Sequence, residues 1–235
     1  MKTILITGAS RGIGFETARL LAALGHRVVA TARSTDLLNR LREKSSGRIH
    51  SGRIHTVTAD LTDPLQRKRI SLYLKKEEIL LDGLIQNAGL LINKPFSELG
   101  ENEWQMLLDV NLLGPVHLTR ELLPYLAPGA HLLHIGSMGG YQESKKFPGL
   151  SGYSTAKGAL AILAECLAVE LSGKEIRSNA LCLGTVQTEM LEEAFPGMKA
   201  THTPDEMGNF IADFALNGHK FFNGKILPVA LSDPD

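Results

Sequence analysis

Residues 4–14 read Ile-Leu-Ile-Thr-Gly-Ala-Ser-Arg-Gly-Ile-Gly, and this stretch decides the fold. Its first four residues form a β-branched, apolar run of strand character, and residues 13–24 then carry apolar side chains at helical spacing. Glycines between a strand and a helix permit a tight turn. They also let backbone amides approach an anion at the positive end of the helix. The spacing is not that of GxGxxG, and no Gly-Lys-Ser/Thr follows, which argues against a Walker-type phosphate loop. A glycine loop straight after the first strand predicts a site for the pyrophosphate of a dinucleotide.

Outward from this loop the pattern alternates. Strand-like runs occupy residues 4–7, 28–31, 54–58, 84–86, 131–135, 177–182 and 226–229. Helical patterns cover 13–24, 37–43, 63–74, 101–126, 152–171 and 204–216. Strands alternating with helices predict an α/β fold, a doubly wound, Rossmann-type parallel sheet with helices on both faces. Ligands in such sheets bind at the carboxyl ends of the strands, where the winding direction switches. The pentapeptide Ser-Gly-Arg-Ile-His occurs twice in tandem, at 46–50 and 51–55, between a helix and a strand, and reads as a duplication lengthening a surface loop. No low-complexity linker divides the chain, so residues 1–235 are expected to form a single domain, with a substrate loop at about 187–203.

Composition narrows the function classes. A chain of 235 residues that is 43% apolar buries one substantial core. Twenty-five basic residues balance 25 acidic ones, so no overall field favours a polyanion, and nucleic acid is not expected as a partner. The opening MKTILITGAS breaks at Gly8, too early for the apolar region and cleavage site of a signal peptide, and no run approaches membrane-spanning length. A cytoplasmic protein without membrane partners is expected. Cys166 and Cys182 stand in apolar segments outside any CxxC pair, and read as two reduced core thiols with no metal site.

Two arginines sharpen the choice of dinucleotide. The second strand ends at Thr31-Ala32-Arg33, where a ribose-binding acid would normally sit, and no carboxylate stands there. Arg33, with Arg11 from the glycine loop, would instead grip the 2′-phosphate of NADP. Asp60, at the end of the third strand, would accept a hydrogen bond from the adenine amino group. Asp63-Pro64 reads as an N-cap followed by proline at the first helical position. The small residues of Gln86-Asn87-Ala88-Gly89 would let a ribose lie against the chain.

The segment Tyr153-Ser154-Thr155-Ala156-Lys157 puts a phenol and an ammonium four apart on one helix face. A nearby fixed cation favours the phenolate and would bring a tyrosine pKa down towards neutrality. Ser137, after the strand at 131–135, would offer a hydroxyl to hold a substrate oxygen.

With these residues in place, the sequence resembles the short-chain dehydrogenase/reductase family across nearly its whole length. TGASRGIG (7–14) is similar to that family's TGxxxGxG loop, QNAG (86–89) to its NNAG, and DVNLLG (109–114) to its asparagine-bearing helix motif. IGSMGG (135–140) is similar to its serine motif and YSTAK (153–157) to its YxxxK, all in the family's order. The resemblance implies Tyr153 as general acid/base and Lys157 as the holder of the nicotinamide ribose and the group that depresses the Tyr153 pKa. It implies Ser137 as the residue that orients the substrate oxygen, and Asn111 as the completion of a proton relay. It places cofactor contacts at Gly8, Ser10, Arg11, Gly12, Ile13, Gly14, Arg33, Asp60, Leu61, Asn87, Ala88, Gly89, Tyr153, Lys157, Val186 and Thr188. The sequence departs from the pattern at Gln86, at Leu183 in place of a proline, in a longer stretch between Ser137 and Tyr153, and at its C-terminal end.

The expected activity is therefore NADP(H)-dependent exchange of a hydride with a small carbonyl or alcohol. The alternative is a regulator that senses NADP on the same fold without turnover. Pro115 has no N–H to give the Asn111 carbonyl, which should leave the helix ladder. The helix after Tyr153 is apolar on more than one face, and a homo-oligomer, dimer or tetramer, is expected.

Overall fold

The computed structural model describes residues 1–45 and 54–231. The tandem pentapeptide, apart from Ile54 and His55, and residues 232–235 lie outside that range. Among the described residues one sheet of seven strands forms, comprising β1 (Thr3–Thr7), β2 (Arg27–Ala32), β3 (Ile54–Thr58), β4 (Leu81–Gln86), β5 (Leu126–Ser137), β6 (Arg177–Leu183) and β7 (Lys225–Val229). All pairings are parallel, in the order β3-β2-β1-β4-β5-β6-β7. The winding reverses between β1 and β4, which pair directly through Ile4–Gly83, Leu5–Leu84 and Ile6–Ile85. The loop after Thr7 therefore stands at the switch point.

Strand alternation divides the core. Ile4 and Ile6 turn to one face, against Ala18 and Leu21 of α1 (Gly12–Ala23) and Met207 and Ile211 of α8 (Pro204–Asn217). Leu5 and Leu84 turn to the other, against Ile70 and Leu74 of α3 (Pro64–Lys76) and Leu118 and Leu122 of α5 (Gly114–Leu122). A completely buried residue such as Leu84 leaves a cavity when truncated, and Leu84→Ala should cost roughly 2–5 kcal/mol. Helix α2 (Thr35–Ser45) adds Leu38 and Leu41 to the first face, and α6 (Ser151–Glu170) sets Ala161 and Ala164 on Ala180 and Cys182 of β6. Asp63 caps α3 as expected: its carboxylate accepts from the Leu65 and Gln66 amides, with Pro64 in the first turn.

Three expectations need correction. The helix expected over 101–126 is broken. Helix α4 (Glu101–Leu108) runs into a π turn at Asp109–Leu113, α5 ends at Leu122, and Leu126 already belongs to β5. Pro115 cannot donate to the Asn111 carbonyl, and the ladder widens there, the Gly114 amide reaching back five residues to Asp109. Secondly, the substrate loop expected at about 187–203 contains the short helix α7 (Glu189–Ala194), capped by the Thr188 hydroxyl. Thirdly, Cys182 is buried but Cys166 is exposed, because it lies on the side of α6 turned away from the sheet. No helix among the described residues is long and apolar enough to cross a membrane.

Candidate active site

A cleft of about 640 Å³ runs along the carboxyl ends of the strands at the switch point. One end is built by the glycine loop. Gly8 sits at φ +67°, a conformation that side chains disfavour, and a Cβ on it would lie 2.8 Å from the Ala88 Cα. A Cβ on Gly14 would collide with the Asn87 side chain and the Gly8 carbonyl. The loop is held to β4 by Thr7, whose hydroxyl accepts from the Asn87 and Ala88 amides, each at 3.0 Å. Asn87 Nδ2 returns the contact by donating to the carbonyls of Thr7 at 3.0 Å and Gly8 at 3.2 Å. The tight turn into α1 thus depends on absent side chains and is locked by one Thr–Asn exchange.

Arg11 and Arg33 are exposed along this end, and Ala32, the last residue of β2, carries no charge. Asp60 Oδ1 accepts from the amide and hydroxyl of Thr62, at 2.9 and 2.8 Å, which fixes its carboxylate at the rim. Ser10, Gly12, Ile13, Leu61, Ala88, Gly89, Val186 and Thr188 line the same cleft.

The other end gathers Ser137, Tyr153 and Lys157. Ser137 ends β5, and its hydroxyl accepts from the Gly139 amide at 3.2 Å. Tyr153 and Lys157 stand on the same face of α6, with the Lys157 ammonium 5.9 Å from the Tyr153 ring centre. Lys157 is 3% exposed and donates to the Ile135 carbonyl at 2.8 Å. Burial draws its pKa down to about 8. Burial also pushes the Tyr153 phenol up to about 12, against the pull of a hydrogen bond with Ser137. Burial of the phenol dominates its pKa in this structure, and the Lys157 ammonium is turned to the Ile135 carbonyl. A protonated phenol is nevertheless the form a proton donor needs.

Asn111 alone among the expected residues does not line the cleft. Its side chain is wholly buried and fully used: Oδ1 accepts from the Leu90 amide at 3.1 Å, and Nδ2 donates to the carbonyls of Leu90 at 2.8 Å and Leu107 at 2.9 Å. It pins the chain after Gly89, where an added Cβ would come within 3.2 Å of Asn111 Oδ1 and 3.5 Å of Lys157 Nζ. What it has left to offer a relay is the main-chain carbonyl opposite Pro115. Gln86, the departure from NNAG, is buried and structural, donating to the Thr119 hydroxyl and to the Pro115 carbonyl at 3.2 Å.

The structure adds residues that the sequence did not single out. Thr7 locks the loop, and Leu90, Leu91, Met138 and Met198 join Phe147, Leu150, Met190 and Phe195 along the cleft wall. The segment carrying α7 is tied at its base by Gln187, which donates its amide to the His202 carbonyl at 2.8 Å and accepts from the Ala200 amide at 2.9 Å. Contacts that draw it across the cleft include Asn93 Nδ2 on the Ala194 carbonyl at 2.9 Å, the Phe147–Phe195 ring pair at 6.2 Å, and Arg11 Nη1 on Glu193 at 2.8 Å. Among the described residues no cluster of three or more His, Cys, Asp or Glu is arranged to hold a metal ion.

Comparison with known proteins agrees with this architecture. A family model described as short chain dehydrogenase matches residues 2–199. An uncharacterised oxidoreductase of Listeria monocytogenes is 31% identical over 225 residues, spanning 90% of this chain and 89% of the relative. Among solved structures, a dehydrogenase/reductase from Sinorhizobium meliloti superposes with a TM-score of 0.87 at 26% identity, covering 97% of this chain and 93% of that one. A 3-ketoacyl-(acyl-carrier-protein) reductase from Brucella melitensis, solved with NADH, superposes with a TM-score of 0.85 at 25% identity, covering 97% and 96%.

Proposed function

Because the chain belongs to the short-chain dehydrogenase/reductase family of oxidoreductases, we propose that it reduces a carbonyl compound, or oxidises the corresponding alcohol, with NADP(H). The reading rests on one observation: Ser137, Tyr153 and Lys157 meet at one end of a cleft whose other end is the glycine cradle. That cradle fits a dinucleotide: Gly8 and Gly14, bare of side chains, let the loop pack closely on Asn87 and Ala88 and turn tightly into α1, whose first amides can meet a pyrophosphate. Arg33 and Arg11 would hold a 2′-phosphate, and Ala32 leaves it unopposed. Asp60 and Leu61 would flank the adenine, and Asn87, Ala88, Gly89, Val186 and Thr188 the remainder.

The bound nicotinamide would supply or accept the hydride. Ser137 orients and polarises the substrate oxygen, and Tyr153 delivers a proton to it. Lys157, held by the Ile135 carbonyl, keeps a cation beside the phenol and offers its remaining N–H groups to ribose hydroxyls. The Asn111 carbonyl, to which Pro115 cannot donate, would provide the next acceptor along a proton path. The test is Tyr153→Phe, which keeps the ring packing and removes the proton donor. Turnover should fall by roughly 10²–10⁴-fold while NADPH binding persists. Near-normal turnover in that variant would sink the assignment, and absence of turnover with any carbonyl in the unmodified protein would favour a sensor.

A further inference from the structure

The substrate half of the cleft has a chemical character that narrows what can react there. We infer, resting on the activity proposed above, that the substrate is a neutral, predominantly apolar ketone, aldehyde or alcohol, with no carboxylate or phosphate on the part that the apolar wall of the cleft encloses.

The wall around Tyr153 is made by Leu90, Leu91, Met138, Phe147, Leu150 and Phe195, most of them in one packed apolar cluster with the Tyr153 ring. Charged side chains lining the cleft are Arg11, Arg33, Asp60, Lys157 and Glu189. Arg11, Arg33 and Asp60 belong to the end built by the glycine loop. Glu189 turns to that end too, its Oε2 lying 3.6 Å from where a Cβ on Gly12 would be. Lys157 is on the floor, bonded to Ile135. Lysines flanking the mouth are engaged or outside it. Lys94 is held by Glu103 at 2.9 Å, Lys146 turns to the Tyr141 carbonyl and the Ser144 hydroxyl, and Lys145 and Lys199 are exposed and do not line the cleft.

An anionic substrate group would exchange water for this wall with no cation to replace it apart from Lys157, which is engaged by the Ile135 carbonyl, and that exchange is costly. A neutral group gains by the same exchange. Among the described residues, the polar side chains lining the cleft beside this wall include the Ser137 and Tyr153 hydroxyls and the Lys157 ammonium, which the chemistry uses. In the reductive direction the carbonyl π bond opens, carbon takes a hydride from reduced nicotinamide, and oxygen takes a proton from Tyr153. Products are the neutral alcohol, oxidised nicotinamide and the Tyr153 phenolate, which regains its proton from solvent before the next turnover. Nothing in this sequence of events needs a charge on the substrate.

The test uses methyl 4-acetylbenzoate and 4-acetylbenzoate, which differ in one charge, set a benzene ring away from the reacting carbonyl, and in the small ester methyl. Reduction by NADPH is followed at 340 nm, and binding to the NADP-loaded protein by ligand-observed NMR. The ester should exceed the acid by roughly a hundredfold in kcat/KM and should alone show binding. Phe147→Arg, at the mouth, should shrink that ratio at least about tenfold by giving the carboxylate a partner. Equal or preferred use of the acid overturns the inference, as does failure of both compounds to bind. Selective binding of the ester without turnover upholds the substrate class and defeats the oxidoreductase reading instead.

Discussion

Arg11 Nη1 lies 2.8 Å from Glu193 Oε1, so a residue of the glycine loop is paired with helix α7 from 182 positions away. The pair joins the two walls of the dinucleotide end of the cleft. It also occupies one of the two arginines proposed to hold a 2′-phosphate.

Both partners are largely in solvent, so the pair itself is weak and easily exchanged. Its replacement by a phosphate contact would separate the two cofactors. Glu193→Gln should tighten NADPH binding by at most about fivefold and leave NADH binding unchanged. Fluorescence titration with both dinucleotides checks this. An equal change for both would mean that Glu193 acts on α7 and not on the phosphate site.

The proposed preference for NADPH has its own test. Hydrogen bonds to charged groups contribute roughly 1.5–3 kcal/mol each, less what solvent exposure removes, which predicts a preference of roughly ten- to a thousandfold. The double change Ala32→Asp and Arg33→Ser installs an acid where the ribose edge would lie and removes a cation. It should abolish or reverse the ratio of kcat/KM for the two cofactors. Equal use of both by the unmodified protein would show these arginines to be surface charges only.

The strands and the cradle were legible in the sequence because their signals are local. Ile4 to Gly14 sets alternation, turn and helix start within eleven residues, and Tyr153 and Lys157 share a helix face whatever packs against it. The break near Asn111 was legible in the missing N–H of Pro115, although the strand start at Leu126 was hidden by the apolar run before it. Helix α7 was not legible, since six residues are too few to establish a period and its capping depends on Thr188. The Arg11–Glu193 pair and the Leu90 contacts of Asn111 are tertiary. Nothing near either residue in sequence announces its partner.

A pH dependence follows from two histidines on β5. Asn179 Oδ1 accepts from the Lys225 amide at 3.0 Å, so Nδ2 faces His131 Nε2 at 3.0 Å and the Phe222 carbonyl at 3.0 Å. His131 Nδ1 then donates to the Ala215 carbonyl at 3.2 Å, which fixes a neutral tautomer. Burial lowers His131 to about 4 and the wholly buried His134 to about 3. Above pH 6.5 both are neutral in folded and unfolded chains alike. As pH falls below 6.5 the unfolded chain binds protons first, and stability is lost progressively down to pH 3–4. Between pH 6.5 and 5, above most carboxylate titrations, the two rings should cost roughly 3 kcal/mol together. In His131→Phe that slope should fall by about half, whatever its absolute stability. Urea denaturation at several pH values measures it, and an unchanged slope would exclude His131 as the source.

The exposed side of α6 supports the last prediction, self-association. Ile162, Cys166 and Val169 follow one another at spacings of four and three, so they form a stripe on one helix face. Ile162 is 55% and Val169 75% exposed, and Cys166 is exposed between them. Met106 on the neighbouring α4 is 51% exposed as well. The sheet-facing side of α6 is already satisfied by β5 and β6, so core packing does not explain this second apolar stripe. Two copies meeting on a two-fold axis through α6 would cover it with the same patch from each side. The chain should behave as at least a dimer at micromolar concentration in light scattering, and Val169→Asp with Ile162→Glu should shift it towards monomer. The Tyr153 end of the same helix is packed by Leu99 and Leu107, so the double variant should keep its fold by circular dichroism. A monomeric unmodified protein would leave the stripe as ordinary surface.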